Sequence, residues 1–106
     1  MAATIPNCKS CEPAFAAELA WIVDAGIREM MEEQHDVFYY VTLLNESYPQ
    51  PAIAATHREG ALRGAYLFEP NEMQDATQRV TLLGSGVILT EVVKAAASLR
   101  ALGIGV

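Results

Sequence analysis

From Pro13 to about Gln34 the apolar residues Phe15, Leu19, Ile22, Val23, Ile27, Met30 and Met31 recur at three- and four-residue steps, with Glu18, Asp24, Arg28, Glu29 and Glu32 mostly between them. That spacing predicts an amphipathic helix about 33 Å long. Pro13 suits its first position, Glu12 or Ser10 would serve the first turn, and Gly26 marks a place of close packing. Asp36 to Leu44 (DVFYYVTLL) is β-branched, aromatic and nearly all apolar. It reads as a strand covered on both faces, as in a parallel sheet. Asn45 to Pro51 is a loop by composition, and Thr56 to about Leu67 is a short helix diluted by Gly60 and Gly64. Glu69 to Gln78 is polar, contains Pro70 and reads as a linker.

A second strand is predicted at Arg79 to Leu83, a tight turn at Gly84-Ser85-Gly86, and a helix from Val87 to about Leu102 capped by Gly103. Ile104-Gly105-Val106 would open a third strand, so the last β-α unit is expected to be incomplete. Met1 to Glu12 reads as an irregular lead-in. The pattern is α/β throughout, without repeats or low-complexity runs.

Composition narrows the function classes. With 106 residues and a formal charge of -6, the chain has neither the basic stripe that nucleic acid requires nor an attraction to an anionic membrane surface. Its apolar runs fall far short of the ~20 residues of a spanning helix. The N-terminus lacks an apolar leader core, so a cytoplasmic location is expected.

Each candidate motif has a plain alternative. Cys8 and Cys11 form a Cys-x-x-Cys before a helix, but no strand precedes it and no second ligand pair follows, so two reduced thiols in a loop are expected. Gly84-Ser85-Gly86 holds the place of a dinucleotide fingerprint. Leu89 stands where its third glycine belongs, and no acidic residue follows at ribose-binding distance. His35 sits at a helix end and His57 in an expected surface turn; neither has an orienting partner. Glu29, Glu32, Glu33 and Asp36 are expected to be a solvated helix end.

Read in order, several stretches resemble one family: Ile5-Pro6-Asn7-Cys8, Pro13 to Ala20 (PAFAAELA), Asp36 to Pro51 (DVFYYVTLLNESYPQP), Glu59 to Tyr66 (EGALRGAY) and Val80 to Gly86 (VTLLGSG). The chain resembles the homodimeric, bacterial-type pyruvate dehydrogenases, the decarboxylating component of the pyruvate dehydrogenase complex. Ser47, Cys11 and Glu12 depart from that family's usual asparagine, aromatic residue and aspartate. The resemblance implies a transketolase-like α/β fold. Residues 1–68 would be the end of the pyrimidine-binding middle domain, 69–78 a linker, and 79–106 the start of the C-terminal domain.

It also implies thiamine diphosphate and magnesium as cofactors of the intact enzyme, held by groups outside the matched region, so that this segment alone would bind neither and be inactive. The implied partners are a second copy and the dihydrolipoyl acetyltransferase core. No residue here is expected to be catalytic. Asn45, Glu46, Ser47 and Tyr48, at the place where transketolases hold a sugar phosphate, are the candidates for lining the substrate channel. Pyruvate carries no phosphate, so the missing cation is physically sensible. The competing readings are a small dinucleotide-binding protein built on the Gly84-Ser85-Gly86 turn, and a non-catalytic interaction module.

Overall fold

A computed structural model describes residues 4–73 and 75–106. Its elements run β1 (Cys8–Cys11), α1 (Ala16–Ile27) continued by a π-helical turn (Arg28–Glu32), β2 (Phe38–Val41), a 3-10 turn (Ala55–His57), α2 (Arg58–Arg63) and α3 (Ile88–Ala101). The lead-in therefore contains a strand, contrary to the sequence reading. β1 lies parallel to β2 with Cys8 opposite Phe38 and Cys11 opposite Val41. The polar Lys9-Ser10 pair hid it, since its order comes from ladder bonds to residues some thirty positions away.

The helix starts later than Pro13, and a different group caps it. Glu18 is buried, and its Oε2 accepts hydrogen bonds from the Ala14 and Phe15 backbone N–H groups at 2.7 and 2.8 Å. Neither Glu12 nor Ser10 serves this end. The far end widens: the Glu33 N–H reaches the Arg28 carbonyl, the His35 N–H reaches that of Glu29, and Gln34 takes a positive φ of 53°. Gly26 is buried beneath Tyr39, where a Cβ would come within 3.3 Å of the ring. The close packing expected at that glycine is present.

The apolar strand is shorter than its sequence run, and only one of its faces is covered. Tyr39 packs inward toward α1, whereas Phe38, Tyr40, Leu43 and Leu44 are exposed. On the helix, Val23, Ile27 and Met31 are exposed as well. A run that is apolar on both faces requires two covering layers, and the described residues supply one.

The second parallel unit is sparer. Arg79 and Gly105 form an isolated parallel bridge, with Val80 N–H donating to the Gly105 carbonyl and Gly105 N–H to that of Gln78. Strand character at Arg79 to Leu83 is thus confined to its first residue, and the third strand is reduced to that one bridge. α3 ends much as expected. Gly103 has φ 80°, its N–H reaches the Arg100 carbonyl, and the Ile104 N–H reaches that of Leu99. This paired closure needs the left-handed backbone glycine takes without strain.

The core is small: among the described residues, Ala14, Phe15, Ile22 and Ala96 are the buried apolar side chains. The accessible surface is 7688 Å², against about 5,800 Å² for a self-contained protein of this mass. The radius of gyration is 16.2 Å, against about 13 Å for a closed domain of this length. The chain therefore exposes more surface and is less compact than a closed domain of this length. No helix among the described residues is long and apolar enough to cross a membrane.

Candidate functional site

The loop after β2 emerges at the carboxyl end of a parallel strand, the end where open α/β sheets bind ligands. The structure divides the four candidate channel residues. Tyr48 is half-buried; its hydroxyl donates to the Ala14 carbonyl at 2.5 Å and its ring lies against Phe15. Two residues on, the Gln50 side-chain oxygen accepts the Ala16 N–H at 2.9 Å. Both tie the loop to the start of α1. Asn45, Glu46 and Ser47 stand exposed on the arch between.

Glu29 is the polar centre of the β1–α1–β2 unit. The π turn carries its carboxylate onto Lys9 of β1 (2.6 Å) and the Tyr39 hydroxyl of β2 (2.5 Å), with His35 Nδ1 at 3.5 Å. Lys9 and Tyr39 together hold the Glu29 carboxyl down to about 2. The bond to Glu29 raises Lys9, and burial, then its own bond to Glu29, raises Tyr39. None of these three is poised near neutrality, as a general acid or base would be; they clamp both strands to the helix. The solvated cluster expected here is therefore half correct. Glu29 is drawn inward, while Glu32 meets Arg28 only at 4.0 Å and Asp36 accepts a long bond from Asn7.

Glu18 organises the other end of α1. Its Oε1 accepts the Tyr66 hydroxyl at 2.6 Å, and burial together with that bond pushes the Tyr66 phenol well above its ordinary range. Phe15 stacks on Phe68, Phe68 meets Tyr66 edge-on, and His57 lies on the Tyr66 ring at 5.0 Å. His57 is thus packed on a ring, not free in a surface turn. Sequence reasoning missed Lys9, Tyr39 and Tyr66, which carry no local signal. The Glu18 cap did have one, a glutamate three residues after the N-cap, masked because that N-cap is Phe15.

The remaining motifs are accounted for by geometry. Cys8 and Cys11 stand three apart in one extended strand, which puts them on opposite faces roughly 10 Å apart, beyond the reach of a disulfide. Burial pushes the Cys11 thiol up, the reverse of what a redox thiolate needs. The thiols lie in a strand, not in the expected loop. At the glycine turn, the Ser85 hydroxyl donates to Glu12 Oε2 at 2.7 Å and the Gly86 N–H to the Glu12 carbonyl at 3.1 Å. A carboxylate seated there repels a dinucleotide phosphate, and Leu89 and Val92 fill the space over Gly84.

A groove of about 1070 Å³ runs between the two units, bordered by Glu12, Glu18, Tyr66, Arg79, Ser85 and Arg100. It does not fit a magnesium-held diphosphate. Glu18 is spent on three donors and Glu12 on the turn, and no group of three metal-ligating side chains converges among the described residues.

A family model described as the pyruvate dehydrogenase E1 component middle domain matches residues 1–51. The pyruvate dehydrogenase E1 component of Pseudomonas aeruginosa is 50% identical over 100 residues, covering 94% of this chain and 11% of that protein. That of Cupriavidus necator is 43% identical over 98 residues, covering 92% and 11%. That of Escherichia coli K12 is 45% identical over 94 residues, covering 88% and 10%. The chain spans about a tenth of the length of these curated relatives. The resemblance read from the residues is thereby borne out.

Proposed function

We propose that this chain, matched along nearly its whole length by one stretch of the pyruvate dehydrogenase E1 component family, is scaffold of such an enzyme. Residues 1–68 close its transketolase-like pyrimidine-binding domain, 69–78 form the linker, and 79–106 open the C-terminal domain. The intact enzyme decarboxylates pyruvate in the cytoplasm as a homodimer and passes the acetyl group to lipoyl groups on a dihydrolipoyl acetyltransferase core. Thiamine diphosphate, bound with magnesium, supplies the carbanion-stabilising chemistry. That no group of three metal-ligating side chains converges among the described residues supports a site held by other parts of the intact protein.

One observation carries the reading. The sheet face formed by Phe38 and Tyr40 and the helix face formed by Val23, Ile27 and Met31 are finished for packing yet bare. Here the chain's own task is mechanical. The Glu29 and Glu18 clusters hold a strand–helix–strand unit rigid, and Tyr48 and Gln50 fasten the loop that presents Asn45, Glu46 and Ser47. With no cation among them, these three residues suit a channel for a small, phosphate-free 2-oxo acid.

The test is a transplant of these 106 residues into the matching stretch of the Pseudomonas aeruginosa relative. Pyruvate-dependent acetyl transfer should stay within about tenfold of the parent, while the chain alone shows none. A folded but inactive chimera, or turnover by the chain alone, overturns the reading. Within the chimera, Asn45→Ala and Glu46→Ala should raise KM for pyruvate more than they lower kcat.

A further inference from the structure

Glu12 and the Ser85-Gly86 turn meet across 73 positions of sequence, and the contact is built from three independent features. Glu12 Oε2 accepts the Ser85 hydroxyl at 2.7 Å, and the Glu12 carbonyl accepts the Gly86 N–H at 3.1 Å. The Glu12 stem also fills the space over Gly86, where a Cβ would come within 2.8 Å of its Cγ, at a backbone φ of 54°. The Gly86 carbonyl in turn accepts the Leu89 N–H at the head of α3. Glu12 directly follows β1. One residue therefore joins the end of the first strand of one parallel unit to the turn that starts the helix of the other.

We propose that Glu12 is a clamp between the two units: it sets the angle of α3 against the β1–α1–β2 unit and with it the width of the groove between them. A carboxylate beside the amino end of a helix is favoured by the helix dipole, which explains an acidic residue here instead of a serine or an asparagine. The side chain supplies direction and the backbone carbonyl supplies register, so the clamp resists both rotation and sliding of α3. The clamp is made of contacts inside this chain and does not depend on the proposed enzyme.

The test is amide hydrogen exchange on the full chain, followed over residues 84–90 and, as a control, over β1 and β2. Glu12→Ala and Ser85→Ala should each speed exchange over 84–90 by at least about tenfold while the β1–β2 ladder stays protected, and the double variant should add little to either. The exchanged pair, Glu12→Ser with Ser85→Glu, should recover part of the protection. Unchanged exchange in the single variants, strictly additive effects, or a parent chain already unprotected over 84–90 each overturn the clamp.

Discussion

The β1–α1–β2 unit and the unit of α3 with its single parallel bridge both set parallel backbone on either side of a helix and differ in how they are fastened. In the first, β1 and β2 pair over four residues each, and side chains reach from helix to strands: Glu29 to Lys9 and Tyr39, Gly26 beneath the Tyr39 ring, Glu18 across the helix start. In the second, Arg79 and Gly105 meet through a single bridge, and backbone bonds close the end of α3. A parallel ladder gains little from two strands alone. What distinguishes the first unit is that its helix carries polar groups back onto both strands. The second draws its attachment from outside itself, through Glu12 to Ser85 and through Glu69 to Arg100 at 2.9 Å.

Removing the buried hub of the first unit should break the comparison most severely. Glu18→Ala leaves the Ala14 and Phe15 N–H groups and the Tyr66 hydroxyl without their acceptor in a buried place. The expected loss is about 3 kcal/mol, read from urea unfolding. Tyr66 should titrate earlier in the same variant, because its phenol is held up partly by that carboxylate. A loss below about 1 kcal/mol would mean that the two units are fastened alike.

Acid should separate the units next. Lys9, with Tyr39, holds Glu29 at about 2 when folded, against an ordinary 4.5. The folded chain therefore binds fewer protons than the unfolded one between these values, and the stability so gained is full above pH 4.5 and lost as pH falls toward 2. Lys9 moves the opposite way: its contribution is full below its ordinary 10.5 and is lost as pH climbs past its raised value. Exchange protection of β1 and β2 should thus fall with acid, and Glu29→Gln should flatten that fall. The same acid dependence surviving in Glu29→Gln would assign the effect elsewhere.

The sequence disclosed one class of feature and concealed another. Helical spacing placed α3 nearly to the residue and found α1, though it set the start of α1 three residues early and gave no sign of the π-helical turn; Gly26 and Gly103 declared their packing and capping roles, because those signals are local. β1 was invisible, since Cys8-Lys9-Ser10-Cys11 becomes a strand only through β2. The run from Asp36 to Leu44 reads as a strand covered on both faces, but only Phe38–Val41 is strand and one of its faces is exposed, because apolar character along a chain does not say which faces find a partner. Glu18 looked solvent-facing because helical periodicity places it on the polar side, yet the segment carrying Tyr66 folds back over it. Of the four channel candidates, the loop itself was legible; that Tyr48 anchors it and the other three do not depended on Ala14, more than thirty positions away.

A gentler perturbation bears on the second unit. Gly103 has φ 80° with open space around it, so Gly103→Ala costs backbone strain alone, about 1 kcal/mol. Because the Leu99 and Arg100 carbonyls are closed by the amides of residues 104 and 103, exchange should quicken in the last turn of α3 and at the Arg79–Gly105 bridge, leaving β1 and β2 untouched. Spread of the effect into β1 would show that the two units unfold together.

The smallest effect should come from an ion pair that looks strong on distance alone. Lys94 Nζ lies 2.6 Å from Glu91 Oε1, shorter than the 2.9 Å of Arg100 to Glu69, but both its side chains are mostly exposed, at 71% and 63%. They are one turn apart on a single helix, so the pair fastens α3 only to itself. Water and salt screen such contacts, and ordering two long side chains offsets much of the attraction. Lys94→Ala should change stability by less than about 0.5 kcal/mol, and less still in high salt. Arg100→Ala should cost more despite the longer distance, since Arg100 is better shielded and its partner belongs to a different part of the chain. If calorimetric melts ranked the two variants the other way, side-chain proximity would matter more than what the contact joins, and the distinction between self-fastened and externally fastened units would lose its basis.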